Sequence, residues 1–340
     1  GYSLVANLGN RFLEQDLINW KHDGVPALRF GQEVRSHFFG HLNLIGIKEL
    51  FWPWIWGPNY DIYEDDDRLN AEPLRFARKQ GGVSGYVHPV SIKEPFKEGG
   101  AKYIPISLIA DAVLKEVDIL ELGCLWTDLG IPIALSAGSD IMSDLYRTMA
   151  IGSTRVYVKP KGLLTEQSFL DALKNGKSFI SNGPQIIFSV DGKEVGDIVK
   201  STKKKSNWSL KVYTPIPYEK VEIFVNGKVV WSKKSKDGHV ETYKGTFDVP
   251  DGGWVTARVS GGKTDWPMMD SYPFAESSPI WFNKIGSTSA STKIEAANKL
   301  LKAFEVSEGL MKTSYSNKEI PNLTAHFSKA RKELIRLTKE

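Results

Sequence analysis

An α/β region, then an all-β region, then a helical tail is the fold class this sequence predicts, and three observations predict it. Through residue 183, strand-like apolar runs alternate with helix-like segments, the order from which a mostly parallel α/β layer is built. From residue 184 the runs shorten and are punctuated by Asp191-Gly192, Asn226-Gly227 and Asp237-Gly238, dipeptides that take the positive φ of hairpin turns. From Lys293 the apolar spacing turns helical. The expected domains are therefore 1–183, an immunoglobulin-like β-sandwich over 184–285, and a C-terminal helical segment over 286–340.

In order, residues 2–7, 27–36, 41–47 and 83–88 read as strands. A long connection before the fourth carries Trp52, Trp54 and Trp56, an acidic cluster over 61–67 and a helix over 69–80. Gly81 and Gly82 follow as a helix stop, because glycine takes the left-handed conformation that ends a helix. A short helix over 106–115 precedes strands at 117–122, 131–136 and 155–158, and an amphipathic helix over 165–175 is closed by Gly176. The all-β region offers short strands at 186–190, 208–214, 221–225, 228–232, 243–249 and 254–260. Val225-Asn-Gly-Lys-Val229 is its clearest hairpin. Helices over 293–306 and 323–339 complete the chain.

Composition narrows the function classes. With 340 residues the chain is expected to hold about two or three domains. Its 41% apolar and 25% charged content marks a globular protein rather than a disordered one. The balance of 44 basic and 40 acidic residues is too even to point to a nucleic-acid partner, and the lysines over 201–206 read as a solvated turn. A single cysteine, Cys124, excludes an internal disulfide framework and a thiolate metal cluster. No apolar run reaches the length of a membrane span and no signal peptide is visible. The chain starts at Gly1 in strand-like sequence, so an upstream segment is expected to have been removed.

Ionisable residues fall at successive strand ends: Glu33, His41, His88, Glu121 and Asp140. Parallel strands closed into a barrel gather such ends at one mouth, so a barrel is expected over a doubly wound sheet. Carboxylate and imidazole together suit a divalent metal such as zinc, manganese or iron. Each residue also has a plainer reading: His88 suits a strand end bonded to backbone, Asp140 a helix N-cap, and Glu121 a group that orients a histidine. His37 is a weaker candidate, because strand alternation need not place it on the face of Glu33 and His41. Arg147 suits either stabilisation of developing negative charge or a surface ion pair. The Trp52 to Trp56 stretch suits either an apolar substrate wall or a hydrophobic cluster. His22 reads as a turn residue, and His239 and His326 lie outside the barrel-like region.

Gly31-Gln-Glu33 with Gly40-His41, Tyr86-Val-His88-Pro89 and Ala137-Gly-Ser-Asp140 resembles the PHP (polymerase and histidinol phosphatase) metallohydrolase superfamily, nearest to its carbaryl hydrolase-like CehA/McbA branch. Ser181-Asn-Gly-Pro184, Val190-Asp-Gly192 and Ser278-Pro-Ile280 are similar to that branch too. The resemblance implies a distorted (β/α)7 barrel, N-terminally incomplete here, with Glu33, His41, His88 and Asp140 at metal-ligand positions. It implies hydrolysis of a small-molecule ester, carbamate, amide or phosphoester by metal-activated water. Two departures stand out: the family's opening His-x-His is absent, and its Asp-x-His is Asp140-Ile-Met142 here. An upstream segment or second chain is expected to supply the missing ligands. The alternative is a catalytically degenerate barrel acting with its sandwich as a binding or assembly module. The appended sandwich suits an extracytoplasmic protein, periplasmic or secreted.

Overall fold

A computed structural model of the chain describes residues 2–6, 21–22, 25–26, 28–58, 67–89, 96, 99–121, 125–140, 150, 152–200, 203–235, 239–266, 268 and 270–340, with side chains from residue 31 onward. They form two units, one of Gly1–Leu122, Lys161–Lys174 and Lys293–Glu340, the other of Gly123–Pro160 and Asn175–Thr292.

The first unit holds strands β1 (Tyr2–Ala6), β2 (Lys21–His22), β3 (Val25–Pro26), β4 (Leu28–Ser36), β5 (Gly40–Ile45), β6 (Val83–Tyr86) and β7 (Ile119–Leu120). Its main sheet runs β1-β4-β5-β6-β7. The pairs β1·β4 and β6·β7 are parallel, whereas β4·β5 and β5·β6 are antiparallel.

That pattern overturns the (β/α)7, TIM-like barrel. The described residues form open sheets, and β-structure predominates over helix. The physical reason lies between Ser36 and Gly40, where only three residues, His37 to Phe39, connect two neighbouring strands. A parallel return takes a crossover of about a dozen residues or more, so a gap this short forces a hairpin. With Glu33 and His41 on a hairpin, the premise of successive parallel strand ends fails.

Alternation sets the faces of that hairpin. Leu42 and Leu44 of β5 and Val34 of β4 are fully buried, while Glu33, Arg35, His41 and Asn43 lie on the opposite face. Helix α1 (Ala71–Lys79) buries Ala71, Leu74 and Ala77, and α2 (Leu108–Val113) is buried along its whole length. Helix α3 is Glu166–Lys174, and the tail forms α4 (Ala290–Ser314) and α5 (Pro321–Leu337). Phe304 of α4 stacks on Phe327 of α5 at 5.3 Å between ring centres. Pro321 opens α5 with the φ a first turn needs, and the Asp67 carboxylate accepts the N–H groups of Asn322 and Leu323 at 2.7 and 2.8 Å. No helix among the described residues is long and apolar enough to cross a membrane.

The second unit holds β8 (Ala134–Leu135), β9 (Arg155–Val158), β10 (Ser178–Ser181), β11 (Gln185–Val190), β12 (Lys193–Glu194), β13 (Ile198–Val199), β14 (Lys205–Tyr213), β15 (Lys220–Val225), β16 (Lys228–Lys234), β17 (Val240–Asp248), β18 (Gly253–Ser260), β19 (Phe274–Ser277) and β20 (Ile280–Phe282). One sheet runs β12-β11-β14-β17; another runs β13-β20-β18-β19-β10-β9, with β15 paired to β18 and β16 to β15. Their inner faces share one core, with Phe188, Trp208, Leu210 and Val212 from the first sheet and Val221, Ile223, Ala257 and Phe282 from the second. Asn226 and Gly227 join β15 to β16 with φ of 48° and 73°, the two positive values a tight hairpin turn requires.

Candidate metal centre

The β4–β5 hairpin builds most of the site. Arg35 faces His41 and Glu33 faces Asn43 across the ladder, so Glu33 and His41 are diagonal neighbours on one face. Their side chains meet, with His41 Nδ1 2.9 Å from Glu33 Oε1. The next strand brings the third group. β6 pairs with β5, Val87 donates its N–H to the His41 carbonyl at 3.3 Å, and His88 follows with a left-handed φ of 33°. The His88 N–H donates to Glu121 Oε2 at 2.6 Å, which fixes the backbone in this unusual conformation. His88 Nε2 then lies 3.6 Å from Glu33 Oε1.

One candidate ligand atom from each of Glu33, His41 and His88 lies within 4.8 Å of the other two. Burial pushes the Glu33 carboxyl up, but hydrogen bonds from His41 and His88 and the charge of Arg35 outweigh it and hold its pKa at about 2. The carboxylate is therefore negative at neutral pH. Partial burial and the charges of His41 and Arg35 hold the His37 imidazole below the ordinary histidine range. The Glu33 and His41 side chains are 13% and 11% exposed and that of His88 is 45% exposed, so the cluster is walled on the hairpin side and open at His88. Two imidazoles and one carboxylate with an open side are a donor set that fits a divalent ion of zinc type.

The remaining candidates are placed as follows. Glu121 accepts the His88 backbone N–H. His37 is in the hairpin turn and not on the strand; its Nδ1 lies 2.8 Å from His41 Nε2. Asp140 belongs to the second unit and has a φ of 44°. Arg147 and Met142 lie outside the described residues. Trp56 is 1% exposed in an aromatic cluster with Phe51, which itself packs on Phe76, while Trp52 is half exposed. Sequence reading missed Arg35, whose Nε is 3.9 Å from Glu33 Oε1. The signal was there in the period-two step from Glu33 to Arg35.

No family model matches the chain, and no curated protein does. Among solved structures, the solution structure of the CARDB domain of PF1109 from Pyrococcus furiosus is similar at 11% identity with a TM-score of 0.20, covering 29% of this chain and 95% of that one. An overlap that slight sets neither fold nor function.

Proposed function

We propose that this chain is a divalent-metal hydrolase, or the C-terminal portion of one, whose metal is held by Glu33, His41 and His88. The observation that carries the reading is the convergence of one carboxylate and two imidazoles, within 4.8 Å, from the β4–β5 hairpin and the residue that follows the neighbouring strand β6 at one remove. The sequence motifs that resemble the PHP superfamily support the same reading, with zinc, manganese or iron as the metal and a small ester, carbamate, amide or phosphoester as the substrate.

When bound, such an ion supplies a Lewis acid and lowers the pKa of its bound water toward neutrality. The chain's own residues do the rest. Glu33 would contribute the negative charge that attracts the cation, and Arg35 beside it limits the cluster's excess charge. Glu121 holds the His88 backbone, and the exposed edge of His88 leaves a path for water and substrate.

A non-catalytic reading has one observation in its favour. Both ring nitrogens of His41 already meet protein groups, Glu33 and His37, as in a polar cluster satisfied without an ion. Metal analysis of the purified chain, with an ester and phosphoester screen run with and without chelator, separates the two. We expect bound divalent metal and chelator-sensitive turnover, both lost in His88→Ala. Metal-free protein whose turnover ignores chelator and His88→Ala overturns the hydrolase.

A further inference from the structure

His37 sits on the outer side of His41, and the hairpin turn is built to keep it there. Ser36 Oγ accepts the Phe39 N–H at 3.1 Å and donates to the Trp56 carbonyl at 2.9 Å, while the Arg35 N–H donates to the Trp54 carbonyl at 2.7 Å. Phe39 is fully buried and stacks on Tyr315 at 6.2 Å, and the Ser107 N–H donates to its carbonyl at 3.3 Å. These anchors hold the backbone on both sides of His37, whose side chain is exposed. Its ring lies 4.8 Å from that of His41, tilted by 53°, with Nδ1 2.8 Å from His41 Nε2.

The two nitrogens of His41 therefore face different things. Nδ1 faces Glu33 Oε1, the same oxygen that His88 Nε2 approaches, so Nδ1 is the inner nitrogen and Nε2 the outer one. A metal-bound imidazole binds through one nitrogen and donates its other N–H to a partner, and that partner sets tautomer and ring orientation. Resting on the metal-centre reading above, we infer that His37 is a positioning residue: its Nδ1 accepts the His41 Nε2–H and so turns the lone pair of His41 Nδ1 toward Glu33 and His88. Without metal the roles reverse, with His41 Nδ1–H donating to Glu33 and Nε2 accepting from His37 Nδ1–H. Histidine serves both states because a neutral imidazole nitrogen can be donor or acceptor, which a carboxylate cannot.

The test is zinc binding to the full chain, with zinc alone as the probe, in the wild type, His37→Phe, His37→Asn and His88→Ala. Phenylalanine keeps the ring and loses the nitrogen; asparagine keeps a polar atom near the place of Nδ1. Circular dichroism checks that each variant is folded. We expect His37→Phe to weaken zinc binding by roughly 10–100-fold, the size of effect seen when partners of ligating groups are removed, with His37→Asn recovering most of the loss. Nitrogen-15 spectra of histidine-labelled wild type with zinc should show His41 metal-bound at Nδ1 and protonated at Nε2. Wild-type zinc binding that His88→Ala abolishes and His37→Phe leaves unchanged overturns this inference alone. Wild-type protein that binds no zinc overturns the metal centre and this inference with it.

Discussion

At the residue scale, neighbours decide what each ionisable group can do, and Glu241 gives a case away from the candidate metal centre. Its Oε2 accepts the hydroxyl protons of Tyr218 and Tyr243, and the two phenol oxygens lie 2.9 Å apart. Burial and the adjacent carboxylate push the Tyr243 phenol from 10.0 to about 12, and Tyr218 rises above it for the same reasons. In the unfolded chain both lose their protons near pH 10. The folded state thus keeps protons that the unfolded state releases, so this contribution to stability is full below about pH 10 and falls as pH rises through about 12. In an alkaline titration followed by phenolate absorbance, Tyr218 and Tyr243 should ionise only above pH 10, with Glu241→Gln bringing them down. All 12 tyrosines ionising in one step near pH 10, in protein that circular dichroism shows folded, would contradict this.

At the element scale, the strand carrying His41 is tied to the C-terminal helices by a buried hydrogen-bond chain. Asn70 Nδ2 donates to the Gly40 carbonyl at 3.0 Å and to the Tyr86 hydroxyl at 3.3 Å. Tyr86 donates to Asp111 Oδ2 at 2.6 Å, and His326 of α5 meets Asp111 Oδ1 at 2.6 Å. Asp111 is 0% exposed, so removing His326 leaves one of its oxygens without that partner and out of water. His326→Ala should therefore cost about 1–3 kcal/mol in urea unfolding, and His326→Gln less, because the amide can still donate. An unchanged unfolding midpoint for His326→Ala would show that the pair does not anchor α5. Sequence reading set His326 aside, because a buried partner more than two hundred positions upstream leaves no local pattern. Turn chemistry was legible where it was strong, as at Asn226-Gly227. The β4–β5 hairpin is hard to read for the opposite reason: Ser36-His-Phe-Phe-Gly40 carries no strong turn dipeptide, and only the short gap between the two strands marks the turn.

At the scale of the whole molecule, the three converging groups all belong to one of the two units. Glu33, His41 and His88 are legible as candidates because they fall at the ends of successive strand-like runs. Their face was not legible without knowing that β4 and β5 pair antiparallel, and neither was the reach of His37, which depends on the turn. Alternating strands and helix-like segments suggest a parallel α/β layer, and ionisable residues at successive strand ends suggest a barrel, but strand order and direction are set by tertiary pairing that neither pattern encodes. The divalent metal proposed for Glu33, His41 and His88 is read out by calorimetric titration of the chelator-stripped full chain with zinc. We expect saturable binding that Glu33→Ala and His88→Ala each abolish while the variants stay folded. Titrations of the two variants that match the wild type, or a wild type that takes up no zinc, would contradict it.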